Sequence, residues 1–229
     1  MKQSMTKQRY ALTAAAVLGL GVTGAAAAAE LPVSVTGNIG VTSDYVWRGQ
    51  TQTGHEAAIS GGLDVSHDTT ALYAGFWTSS LGSGSAGPET DYYAGWAPSL
   101  GEFSFDVGVI NYAYPGAENS DFTEVYGGAG WRYFSAKVYS LVSTAAKGDK
   151  EDGLYVTASA TFPLTDNTSF GVNVGQASGD SYEVNGDPVV DYGANVSMGD
   201  FSLSVTTNDI DNAGNQTSTF VSWSKQFDL

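Results

Sequence analysis

Twelve segments of this chain alternate apolar and polar residues with a period of two, and the links between them alternate between short and long. The segments are 33–48, 57–66, 71–78, 91–97, 103–112, 122–133, 135–142, 153–162, 169–176, 189–198, 201–207 and 218–229. A period of two places successive side chains on opposite faces of a β-strand. No helical spacing of i, i+3, i+4, i+7 holds over a comparable window. The short links are 67–70, 98–102, 134, 163–168 and 199–200; the long, polar ones are 49–56, 79–90, 113–121, 143–152, 177–188 and 208–217. A sandwich has no reason to sort its loops by length, whereas a membrane barrel has tight turns at one rim and longer loops at the other. The pattern predicts an all-β fold, an antiparallel up-and-down transmembrane β-barrel of twelve strands. Residues 71–78 and 135–142 read in either parity, so a merged pair would leave ten.

The first segment sets the expected faces. Val33, Val35, Ile39, Val41, Tyr45 and Trp47 fall on the odd side, and Thr36, Asn38, Asp44 and Arg48 on the even side. The odd side is expected to meet lipid and the even side the lumen, with Tyr45 and Trp47 at the outer interface. Asp44 and Arg48 lie about 13 Å apart along one strand, so each calls for a partner on a neighbouring strand, the second or the twelfth. Closure requires residues 33–48 to pair with 218–229, since an open edge is not tolerated in lipid. Lys225 then falls on the lipid face, tolerable near an interface where its ammonium reaches water. Aromatics collect near the short links (Trp96, Phe103, Trp131, Tyr133, Phe134, Phe162, Phe170, Phe201) and near the long ones (Phe76, Trp77, Tyr92, Tyr93, Tyr112, Tyr114, Tyr155, Tyr192). Two such belts match the two interfaces of a bilayer.

Residues 1–29 carry Lys2, Lys7 and Arg9, then an apolar stretch and a run of alanines before Glu30. This describes a secretory signal peptide, leaving 30–229 as the barrel domain. The chain has no cysteine, so no disulfide or thiol chemistry is available. Loss of the leader reduces nine Lys and Arg to six against 24 Asp and Glu, a formal charge of −18. Nucleic acid, which needs a basic face, is not an expected partner.

At 43–53 the chain reads SDYVWRGQTQT, at 106–116 DVGVINYAYPG and at 121–126 DFTEVY. In these stretches it resembles the TorF family of porins, a bacterial outer-membrane family with no established substrate. The resemblance implies an outer-membrane barrel. Relatives tend to finish on Phe, whereas this chain continues past Phe227 to Leu229.

Charges in a barrel wall belong on the lumen side, because one facing hydrocarbon costs roughly 2–4 kcal/mol at the midplane. The candidate pore-lining residues are Asp44, Arg48, Asp64, Asp106, Tyr112, Glu124, Arg132, Lys137 and Asp191, alongside Asn38 and Asn173. Acids in the long loops, among them Glu89, Asp121, Asp149, Glu151, Asp187 and Asp211, suggest a negative rim that favours cations. Residues 208–215, NDIDNAGN, glance at a calcium loop but lack its ligand spacing and its terminal Glu. Catalysis is not expected: His55 and His67 are the only histidines, and no G-x-S-x-G elbow accompanies either.

The expected function is a porin admitting small polar solutes or ions, with no cofactor or metal. Expected partners are outer-membrane lipid and lipopolysaccharide, the outer-membrane assembly machinery, and small solutes or cations. The alternatives are a plugged barrel acting through its outer loops and an outer-membrane hydrolase.

Overall fold

The computed structural model describes residues 32–145, 152–210 and 217–229. The proposed leader and the loop acids Asp149, Glu151 and Asp211 lie outside them, as does most of the calcium-like stretch.

Twelve long strands form the wall: β1 Val33–Thr42, β2 Ala58–His67, β3 Leu72–Ser79, β4 Glu89–Trp96, β5 Phe103–Ala113 and β6 Phe122–Trp131, followed by β7 Phe134–Thr144, β8 Leu154–Thr165, β9 Thr168–Ser178, β10 Val189–Met198, β11 Phe201–Asn208 and β12 Ser218–Asp228. Each pairs antiparallel with its sequence neighbours, and β1 pairs with β12 from Thr36↔Asp228 to Thr42↔Ser222. The twelve long strands therefore close on themselves. A two-residue strand, Ser99–Leu100, folds back onto Phe103–Ser104 within one short turn.

Lipid-type side chains cover the outer wall. Ile39 and Val41 on β1, Val107 and Val109 on β5, and Leu203 and Val205 on β11 are all exposed there. Trp96, Phe103, Trp131, Phe134 and Phe201 make the girdle at the short-turn rim, with Phe103 and Phe134 each stacked near Trp131. Lys225 does project outward, and it reaches Asp200 in the adjoining turn at 2.7 Å. The ion pair holds its charge at the rim.

Two expectations change. The first strand stops at Thr42, and residues 43–57 turn into the barrel as a long loop carrying its own small hairpin, Val46–Trp47 against Gln50–Thr51. Tyr45 and Trp47 accordingly leave the lipid interface for the interior. Part of the expected outer girdle also turns inward: Trp77 and Tyr155 pack against interior side chains, while Tyr92 and Tyr192 stay exposed outside.

Candidate functional site: an in-folded loop across the lumen

The loop of residues 43–57 is held by its own polar core. Asp44 Oδ1 accepts hydrogen bonds from the hydroxyls of Thr51 (2.5 Å) and Thr53 (3.0 Å), and Oδ2 lies 2.8 Å from His55 Nδ1. A carboxylate can only accept, so Nδ1 is the donor there. Burial works to raise the Asp44 pKa, but hydrogen bonds from Thr51, His55 and Thr53 outweigh it and hold the group below the ordinary aspartate value. Asp44 thus finds its partners inside its own loop, not on β2 or β12.

The tip of the hairpin crosses the lumen. Arg48, at φ 48°, and Gly49, at φ 73°, make the tight turn. Gly49 permits it twice over, since a side chain there would be strained and its Cβ would sit 2.6 Å from that of Asp191. Asn208 Nδ2 donates to the Gly49 carbonyl at 2.8 Å and pins the turn to β11.

From this turn Arg48 Nη2 donates to both carboxylate oxygens of Glu124 on β6, at 2.7 and 2.8 Å. Glu124 is fully buried and also accepts from the hydroxyls of Tyr112 (3.0 Å) and Tyr182 (2.6 Å). The guanidinium carbon lies 4.2 Å from the ring centroids of both Trp47 and Tyr155, with the rings of Tyr139 and Tyr182 just over 5 Å away. Burial alone would weaken the Arg48 charge; the Glu124 carboxylate beside it reverses that and holds the proton more tightly than usual. Since β6 stands across the ring from β1, the loop and this pair together bridge the lumen.

Other buried acids surround the loop. Tyr45 and Tyr114 donate to the two oxygens of Glu89, at 2.6 and 2.9 Å. Asp91 is the next lumen-facing residue of the same strand, and Asp191 accepts from the Tyr155 hydroxyl at 2.9 Å. Glu89, read from the sequence as a loop acid, is the buried first residue of β4.

Below the loop the lumen is asymmetric. On the side of β2–β7, tyrosines lie flat over glycines of neighbouring strands, Tyr73 against Gly95 and Tyr126 against Gly108. Tyr73 and Tyr126 share a hydroxyl–hydroxyl hydrogen bond, and Tyr73 donates to Asp106 at 2.7 Å. Lys137 reaches Asp106 at 2.6 Å and sits over the Tyr126 ring. Asp64 is hydrogen-bonded to Tyr93 in the same layer. The side of β9–β12 carries uncharged groups instead, in the cross-strand rows Asn195–Ser204–Phe220 and Ser197–Ser202–Ser222. A cavity of about 200 Å³ remains there between Arg48 and this wall.

Of the expected pore-lining residues, Arg48, Tyr112, Glu124 and Asp191 converge at the in-folded loop, and Asp64, Asp106 and Lys137 meet in the tyrosine layer below. Arg132 does neither. It occupies the turn between β6 and β7 at φ 54°, half exposed, paired with Glu102 at 2.8 Å. The expected alternation runs through a turn at that point. Gly49, Tyr182 and Asn208 escaped the sequence reading; the Trp-Arg-Gly turn at 47–49 was the one signal that could have pointed to them. Among the described residues, no group of three or more His, Cys, Asp or Glu is placed to hold a metal ion.

Residues 26–227 match the family described as a bacterial protein of unknown function, Gcw_chp. The chain belongs to that family. No curated protein sequence is significantly similar to it. The fold of this Gcw_chp barrel is shared with the KdgM porin, at 10% identity, a TM-score of 0.53 and coverage of 86% of this chain and 99% of that one. The KdgM porin in complex with disordered oligogalacturonate gives the same TM-score at 12% identity, with coverage of 86% and 99%. A barrel from a study of in-meso crystallisation of membrane proteins gives a TM-score of 0.55 at 12% identity, covering 86% of this chain and 84% of that one. At such identities the likeness is one of fold: the Gcw_chp chain is a closed antiparallel β-barrel of the same architecture.

Proposed function

We propose that this Gcw_chp protein is a TorF-type porin of the bacterial outer membrane. It lets small polar solutes or ions diffuse through a lumen narrowed by residues 43–57. The supporting observation is the Arg48–Glu124 pair, which fixes one loop across the pore while an uncharged wall beside it stays open. A loop folded into an otherwise closed barrel sets pore size without plugging it. The TorF-like opening motif places its Arg and Gly at this tip, and the overall fold is that of porins.

The lumen near the loop carries Asp44, Glu89, Asp91, Glu124 and Asp191 against Arg48, a negative balance that repels anions and concentrates cations. Reconstitution into planar bilayers under a KCl gradient tests both parts. Unitary steps with a reversal potential on the potassium side are expected. A reconstituted barrel without steps would instead support the reading in which the barrel is plugged and acts through its outer loops. Steps with chloride preference would remove the cation preference alone.

A further inference from the structure

The cavity under the loop combines three features that bear on what it holds. Its wall carries Asn173, Asn195, Ser204 and Thr206, neutral groups that both donate and accept hydrogen bonds. Tyr155 and Phe220 supply ring surface. Arg48 and Asp191 close it from above as one donor and one acceptor, each more than nine-tenths buried. Among the described residues Arg48 Nη1 has no hydrogen-bond partner, although Nη2 is fully engaged by Glu124. A buried donor without an acceptor is costly, so an oxygen of a bound molecule would be favoured at that point.

Charge decides what kind of oxygen. The lining sets one guanidinium, Arg48, against one carboxylate, Asp191, and is otherwise uncharged. An anionic solute is repelled by Asp191. A cationic one meets the guanidinium. An uncharged molecule with several hydroxyls avoids both conflicts, since each hydroxyl can accept from Arg48 and donate to Asp191 or an asparagine carbonyl. The volume is below the roughly 300–1,000 Å³ of pockets that take drug-sized ligands, which suits one ring and not an oligomer.

We propose that this cavity is a binding station for a neutral polyhydroxylated solute of monosaccharide size, held by Arg48, Asn173, Asn195 and Asp191 with its apolar face toward Tyr155 and Phe220. This rests on the porin reading for its place on a transport path, but the binding itself can be measured without transport. Saturation-transfer NMR on the refolded, detergent-solubilised full-length barrel would compare D-glucose, D-glucuronate and D-glucosamine.

Glucose is expected to bind saturably and at least fivefold more tightly than either charged sugar. Asn195→Leu, which leaves the loop contacts intact, is expected to weaken it at least fivefold. Ser135→Ala, on the lumen side of β7 against Ser159 and outside the cavity lining, is expected to leave it unchanged and controls for folding. No glucose binding, or tighter binding of glucuronate or glucosamine, overturns the proposal. So does an Asn195→Leu barrel that folds and binds glucose like the parent. The two readings fail separately: a barrel that conducts KCl but ignores glucose refutes the station alone, and one that binds glucose without conducting refutes the porin alone.

Discussion

Arg48 Nη2 lies 2.7 Å from Glu124 Oε1, although the two residues are 76 apart in sequence and approach from opposite sides of the barrel. The pair anchors residues 43–57 in the lumen. Its burial makes it sensitive to one-sided change, because removing one partner strands the other charge. Glu124→Ala or Arg48→Ala alone is expected to cost about 3–5 kcal/mol. The double variant Arg48→Met/Glu124→Leu should recover a large part of that. Equilibrium urea unfolding in micelles reads both, and additive losses would show the pair to be uncoupled.

Acid should release the loop. The Asp44 pKa is lowered in the folded protein, so its contribution is fully present above the ordinary value of 3.8 and is lost as pH falls through the lower folded value. Protonated Asp44 can no longer accept from Thr51, Thr53 and His55 together. Pepsin is expected to spare residues 43–57 at pH 5 and to cut there only well below pH 3.8, once the folded-state carboxylate is protonated. Asp44→Asn should be cut at both. Equal cleavage of the parent chain at the two pH values would contradict this role.

Gly49→Val tests the turn itself. Its positive φ costs a β-branched residue about 1–3 kcal/mol, and the new side chain would also collide with Asp191. The barrel should still fold, since the wall is untouched, and should keep heat-modifiable migration on gels. Its open-channel current should become noisier as the loop leaves its seat. A quiet current like that of the parent would show the loop held by something other than this turn.

The Lys137–Asp106 pair probes the lower lumen. Lys137→Met leaves Asp106 unbalanced in the tyrosine layer, so the reversal potential in a KCl gradient should move further toward potassium. Asp106→Asn should move it the other way. Identical potentials in all three proteins would place this layer off the conduction path.

The wall was legible because an apolar outer face and a polar lumen face impose their pattern residue by residue. Alternation in 103–112 and 189–198 and the two-residue link 199–200 each carry their meaning locally. The terminal seam followed from closure, and Lys225 behaved as its place near a rim requires. The fate of 43–57 was not legible in this way. Alternation continues through Asp44, Tyr45, Val46, Trp47 and Arg48, so the pattern looked like more strand. The strand ends at Thr42, and the hairpin that follows, with its turn at Arg48 and Gly49, is held from β6 and β11 through Glu124 and Asn208. Those are tertiary contacts that periodicity does not encode. The outer aromatics were misplaced for a related reason. Trp77 and Tyr155 lie near the upper rim but on the lumen face, so nearness to a long loop alone could not assign them to lipid.

The most direct test of the central claim is the unitary conductance of the parent barrel and of Arg48→Ala in the same bilayer and salt. Both should conduct, and the variant should show larger steps, because the loop that narrows the lumen has lost its anchor on the far wall. Equal conductance in the two proteins, or a parent barrel that never opens, would contradict it.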